Sequence, residues 1–380
     1  MVERERILWL LVSTALILLT LPGVAFLYGG MVRKKNVLNT LVLPLIAQAM
    51  VSLEWLCLGQ ARWFTRVLGA PELGCPFHAI TAALALALLS GALVERIRVS
   101  FFLLFGALWV VLVYGALVHW LWGSGWLVKL GSLDYAGGAV IHIGAGVSAL
   151  VAAIIVGHRK GYGQEDMKPH HLPYSLLGVG LMWVGWFGFS AGQALASMAA
   201  ATVAFVATQV SASSAALTWM MAEWLQRDKP TVLGMASGVV AGLVAIAPAA
   251  GYVSPLAAVV IGVGAGGFCY MVVNYVKLIA GYDDALDVFG IHGVGGTWGM
   301  VATGLFASTA VNPDGSDGLF YGYAYQLLAQ AVAVVAAWIV AGGGTALLLK
   351  GIALVLEPRV SREAEEMGLD LAQHGERGYS

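Results

Sequence analysis

The sequence predicts an all-α membrane protein of eleven transmembrane helices, and three observations predict it. Apolar residues make up 59% of the chain and charged residues 11%, against roughly a quarter charged in a soluble domain. The apolar segments have the length of a bilayer-spanning helix, ~20 residues. The basic residues sort to one side of the membrane once eleven spans are drawn.

A soluble core of this size needs a charged shell. The 20 Lys and Arg and 21 Asp and Glu of 380 residues cannot build one. The spans run at about 7–31, 40–60, 77–94, 100–122, 135–157, 173–192, 198–222, 232–250, 255–278, 289–307 and 322–349. The first is read as a retained span. It is too long for a secretory signal, lacks an A-x-A site, and has its basic cluster, Arg33 to Lys35, after it. Pro and Gly mark 61–76 as a loop, and 158–172 and 308–321 are further interruptions. Residues 1–350 therefore form one membrane domain, and 351–380 a charged, polar tail.

An odd span number places the termini on opposite sides. With the N-terminus outside and the C-terminus inside, only Arg4, Arg6, Arg62, Arg66 and Lys129 lie outside, and the other 15 of the 20 basic residues lie inside. A net charge of −1 offers no basic stripe for nucleic acid. Cys57, Cys75 and Cys269 form no CxxC pair, so neither a disulfide framework nor a zinc knuckle is indicated. No nucleophile–base pair, Walker loop or cofactor fingerprint points to an enzyme.

The 49 glycines fall largely inside the spans, where small residues let helix backbones approach closely. Polar residues among them show a repeat. Asp134 precedes His142 by eight residues and Asp284 precedes His292 by eight, and each His is followed by glycines, in IHIGAG and IHGVGG. These are the fifth and tenth spans. Spans 1–5 and 6–10 then form two halves, inverted because each holds an odd number, with the substrate path at their interface.

Ionisable residues within spans are costly and usually face the bundle interior or a cavity. His142 and His292, on equivalent helices, are expected to meet near the pseudo-axis. Burial disfavours the charged form, so the pair stays neutral and offers a donor and an acceptor along an apolar tube. Such a pair lines a pore or clamps two helices. It is too small for a structural zinc site. Trp122, in HWLWGSG, is either an interfacial aromatic or a cation–π platform. Trp186 and Phe189, in GWFGFSAG, either complete an aromatic vestibule or pack. Asp134 reads as a helix N-cap whose charge assists the vestibule. Asp283, Asp284 and Asp287 read as caps and loop organisers on the inner side.

Several motifs resemble the Amt/MEP/Rh ammonium-transporter superfamily, over nearly the whole chain. They are PGVAFLYGG, GALVERIR, LDYAGGAVIHIGAG, GWFGFSAG, DVFGIHGVGG and GLDLAQHGE. The resemblance implies an eleven-span fold, a homotrimer and one pore per subunit. His142 and His292 match the family's twin histidines, Trp122 the vestibule tryptophan of the Amt branch, Phe189 one gate phenylalanine, and Asp134 the vestibule-side aspartate. Two positions depart from the pattern. Thr81 stands where the other gate phenylalanine is expected, with Phe77 one turn earlier, and Gln193 replaces the serine that helps hold the cation. The Gln193 carbonyl oxygen can still accept a hydrogen bond from ammonium.

The resemblance implies collection of ammonium near Trp122, loss of its proton, and passage of ammonia along the histidines. It also implies a plasma or inner membrane location, and a tail that packs under the bundle and couples to a PII-type signal protein. No cofactor is implied. Two alternatives are an Rh-like neutral gas channel and an ammonium sensor that binds without conducting.

Overall fold

A helical break at the first span sets the style of this architecture: α1 (Glu3–Leu18) and α2 (Thr20–Met31) run on as one segment interrupted at Leu19. The computed structural model describes residues 3–59, 76–194 and 198–379. The loop expected over 61–76 lies outside the described residues except for Pro76, as do Arg62, Arg66 and Cys75.

The remaining helices are α3 (Val37–Gly59), α4 (Pro76–Ser90), α5 (Val99–Trp109), α6 (Gly115–Leu121), α7 (Trp126–Lys129), α8 (Gly144–Val156), α9 (Leu172–Gly192), α10 (Met198–Arg227), α11 (Val232–Ile246), α12 (Pro255–Met271), α13 (Lys277–Ala280), α14 (Val294–Phe306), α15 (Ala324–Ala353), α16 (Arg362–Met367) and α17 (Leu369–His374). No strand occurs among the described residues beyond an isolated bridge of Ile97 with Arg359. Eight helical runs of the described residues are long and apolar enough to cross a membrane, and α4 and α11 are shorter apolar helices. The fold is that of an all-α, multi-pass membrane protein, as helices satisfy their own backbone groups in lipid.

Four π-helical segments interrupt the ladder: Val110–Tyr114, Gly138–Ile143, Val272–Val276 and Phe289–Gly293. Each widens one turn and rotates the next helical segment about its axis. Two of the four carry the histidines. Helix starts use short polar caps. Thr231, Ser254 and Ser361 accept from the backbone N–H of Gly234, Ala257 and Ala364.

Close approach replaces hydrophobic drive between helices in lipid. At the α2–α9 crossing, a Cβ on Gly23 would lie 2.8 Å from the backbone nitrogen of Met182. One end of the bundle is closed by ion pairs. Arg159 bridges Asp283 at 2.8 Å and Glu95 at 3.2 Å, Arg33 joins Glu95 at 2.9 Å, and Arg96 reaches Asp283 at 3.4 Å. Burial alone would raise the Asp283 carboxyl, but the hydrogen bonds and charge of Arg159, with Arg96, hold it below the usual carboxylate range.

The tail folds back against this end. Lys35 Nζ donates to the Glu365 carbonyl at 2.7 Å, the Asn39 N–H donates to Asp370 at 2.9 Å, and Arg359 pairs with Glu365. Tyr379 is tied to His170 at 3.0 Å.

Candidate functional site

The two histidines sit on equivalent local structures. Asp134 accepts from the backbone N–H groups of Gly138, Ala139 and Val140 at 2.6, 3.0 and 3.1 Å, capping the π segment that carries His142. Asp284 accepts from the Phe289 N–H at 2.7 Å, at the start of the segment that carries His292. Five residues before each histidine the backbone enters the left-handed region, at Gly137 (φ +85°) and Asp287 (φ +60°).

The two segments touch through reciprocal glycines. A Cβ on Gly146, four residues after His142, would overlap the backbone of His292 and Gly293. A Cβ on Gly296, four residues after His292, would lie 3.0 Å from the His142 Cβ and 2.6 Å from the Gly138 carbonyl oxygen. This contact brings the imidazoles together, with Nδ1 to Nδ1 at 3.3 Å and ring centroids at 5.3 Å. Both are buried.

Trp186 and Phe189, on one face of α9, close over His142. Trp186 stacks on His142 at 5.4 Å and 9°, and Phe189 meets the same ring edge-on at 6.4 Å. Both are fully buried. His142 Nε2 has no hydrogen-bond partner among the described residues.

A separate cavity of about 480 Å³ opens near the N-terminal end of the Gly138–Ile143 segment. Of the residues anticipated from sequence, Trp122, Asp134 and Gln193 line it. Trp122 Nε1 donates to the Asp134 carbonyl at 2.7 Å, and a Cβ on Gly137 would lie 3.2 Å from the indole, so Trp122 stands over the entry to the His142 segment. Burial pushes the Asp134 carboxyl up to about 6, against the pull of its backbone N–H donors. Gln193 is half-buried, and its Nε2 lacks a partner among the described residues.

Thr81 and Phe77 are buried on α4, away from the cavity lining. The Thr81 hydroxyl donates to the His78 carbonyl at 2.8 Å and lies 3.0 Å from Tyr114 Oη. Phe77 packs toward Gly192, where a Cβ would lie 2.8 Å from its ring.

His78, between them, lines the cavity with its ring 6.2 Å from Trp122. Sequence reasoning passed over it, although an ionisable residue opening an apolar run is the signal that finds such sites. Tyr135, Tyr252 and Asp314 also line the cavity and were not singled out.

The chain matches the sequence profile of the Ammonium Transporter Family over residues 8–379. It is similar to an ammonium transporter of Bacillus subtilis, at 44% identity with 96% of each chain covered. It is similar to ammonium transporter Amt1 of Archaeoglobus fulgidus, at 41% identity with 99% of each covered. Its backbone resembles the crystal structure of Mep2 from Saccharomyces cerevisiae, with a TM-score of 0.86 and 32% identity over 94% of this chain and 90% of that one. Fold, match length and identity agree, and the chain belongs to the Ammonium Transporter Family.

Proposed function

We propose that this protein takes ammonium from the cavity beside Trp122, where the ion gives up its proton to solvent water, and passes the resulting ammonia between His142 and His292. The observation that carries the reading is the buried imidazole pair, 3.3 Å apart, with the aromatic-sided cavity at the start of the His142 segment. The protein is a transporter and not an enzyme, in keeping with its family.

The physical problem is charge. Moving an ammonium-sized ion into low dielectric has an idealised cost of order 20 kcal/mol. The same term favours the neutral amine, so a passage that excludes the ion still admits ammonia. Trp122 supplies a cation–π face of ~2 kcal/mol when desolvated. The Asp134 carboxylate adds negative charge at the cavity wall, and Gln193 supplies an amide oxygen. The neutral imidazoles give ammonia one acceptor and one donor in an otherwise apolar surround. Trp186 and Phe189 pack on His142 and shield it from water.

The finer topology belongs to the same proposal. Eight long helices, two shorter apolar ones and the Phe289–Phe306 run make eleven spans, with the N-terminus outside and the C-terminus inside by the positive-inside rule. The Asp–His spacing, paired π segments and reciprocal glycines support an inverted repeat of spans 1–5 and 6–10. We assign a homotrimer in the plasma or inner membrane, a membrane domain over 1–350 and a cytoplasmic tail over 351–380. The tail, held by Lys35 and Asn39, is the surface we assign to a PII-type partner.

Ammonium flux into liposomes holding the purified protein tests the transport reading. Saturable flux above that of empty liposomes supports it; saturable binding without flux favours a sensor, and carbon dioxide flux exceeding ammonium flux favours a gas channel. The family assignment and the Trp122 cavity favour neither alternative. Partner binding that survives deletion of 359–380 contradicts the tail assignment.

A further inference from the structure

A buried primary amide in the second turn of α15 makes an unusual pairing. Gln330, on α15, is fully buried. Its Oε1 accepts from the Leu133 N–H at 2.8 Å, and its Nε2 donates to the Leu133 carbonyl at 2.7 Å. The side chain thus pairs with both faces of one residue's backbone, as a neighbouring strand does. Ser132 Oγ also donates to Gln330 Oε1 at 2.9 Å, and Nε2 lies 3.3 Å from the Met300 carbonyl on α14. One turn earlier, buried Gln326 donates to the Gly131 carbonyl at 3.0 Å.

These bonds hold three successive residues, 131–133, to α15. The next residue is Asp134. Its carbonyl fixes the Trp122 indole and its carboxylate caps the His142 segment. The orientation of a peptide carbonyl is set by the residues on both sides of it. Gln330 holds the peptide before Asp134 through the Leu133 carbonyl, the cap holds the Asp134 carboxylate, and the peptide after it is tied by the Tyr135 N–H donating to the Pro248 carbonyl at 3.1 Å. Such bonds help to hold the loop in a single conformation.

We propose that Gln330 is a positioning residue for ammonium recognition: through Leu133 and Asp134 it sets the plane of the Trp122 indole at the cavity. Gln330 does not line that cavity. The inference rests on the reading of Trp122 as the cation platform, and it extends that reading to a helix that contributes nothing else to the cavity lining.

The position is expensive to alter in one specific way. Replacing the amide with an apolar side chain leaves the Leu133 N–H and carbonyl without their partner in a buried place, and the loop shifts to find others. The effect on recognition then travels through Trp122. A residue that merely stabilises the bundle lowers the amount of assembled protein and the maximal flux, but leaves the half-saturation concentration where it is.

The test is a double-mutant cycle on ammonium flux in liposomes, normalised to protein incorporated, with Gln330→Met, Trp122→Leu and the double variant. Gln330→Met raises the half-saturation concentration about tenfold, and in the Trp122→Leu background it raises it less than twofold further. Gln330→Asn keeps the donor and the acceptor on a side chain one methylene shorter. It gives a smaller rise of the same kind and carries the test if Gln330→Met does not assemble. An unchanged half-saturation concentration in the Gln330 variants overturns the inference, as do two effects that multiply independently. Absence of saturable flux in the unsubstituted protein overturns the transport reading and this inference with it; saturable flux there isolates the fate of Gln330.

Discussion

Gly146 and Gly293 meet backbone to backbone, so that a side chain on Gly146 would occupy the space of the Gly293 nitrogen. The contact lies one turn past His142 and immediately after His292, and it is what allows the two rings to approach. Gly146→Ala therefore forces the α8 and α14 runs apart. Overpacking of this kind costs typically 1–3 kcal/mol. The variant melts at lower temperature in detergent and transports ammonium at least tenfold more slowly. A Gly146→Ala protein with unchanged flux shows that the spacing of the two segments is unimportant.

Trp122 lines the cavity, where we propose that its ring face meets the cation, and it is held by its N–H. Trp122→Leu removes both. Losing a cation–π contact of up to ~2 kcal/mol raises the half-saturation concentration by roughly ten- to thirtyfold. Flux at saturating ammonium changes much less. The concentration dependence of uptake into liposomes separates these two outcomes.

Gln193 brings an amide to a cavity wall where a smaller hydroxyl would leave more room, and its Nε2 has no partner among the described residues. On the proposed path, the extra bulk is expected to select against alkylated ammonium. Gln193→Ser therefore raises the flux of methylammonium relative to ammonium by several-fold. Paired uptake measurements with the two ions check the ratio, and an unchanged ratio removes Gln193 from any role in selectivity.

Asp134 gives a pH prediction with a definite sign. Its carboxyl sits at about 6 in the folded protein, against an ordinary value of 3.8. A raised value means that folding favours the protonated form. The contribution to stability is fully present below about 3.8 and is lost as pH rises through about 6. The melting temperature of the unsubstituted protein minus that of Asp134→Asn therefore grows as pH falls from about 7 to about 5. A difference that shrinks over this range contradicts the assignment of burial as the dominant effect.

Much of this molecule was legible in the sequence because a bilayer imposes simple rules. Runs of bridging length announce spans, and the eight-residue Asp–His spacing announces two equivalent segments. Both aspartates cap as their spacing suggests. Azimuth was less legible. Trp186 and Phe189 could be placed on α9 but not rotated, and each lies on His142 and not at the cavity surface. The π segments are one cause, since each shifts the helical register in a way that no 3.6-residue pattern anticipates.

Long-range polar pairing was less legible still. Asp283 read as a cap or loop organiser, yet it holds Arg96 and Arg159, which are 187 and 124 residues away. Nothing local to Gln330 identifies Leu133 as its partner. His78 differs, because an ionisable side chain at the head of the α4 run, between Phe77 and Thr81, is visible in the sequence.

We propose above that the buried imidazole pair is the conducting element. Ammonium flux into liposomes containing His142→Leu/His292→Leu protein, incorporated at the level of the unsubstituted chain, tests it most directly. A conducting pair predicts a loss of at least tenfold in flux with the fold retained. Flux equal to that of the unsubstituted protein contradicts it and leaves the pair as a clamp between two helices.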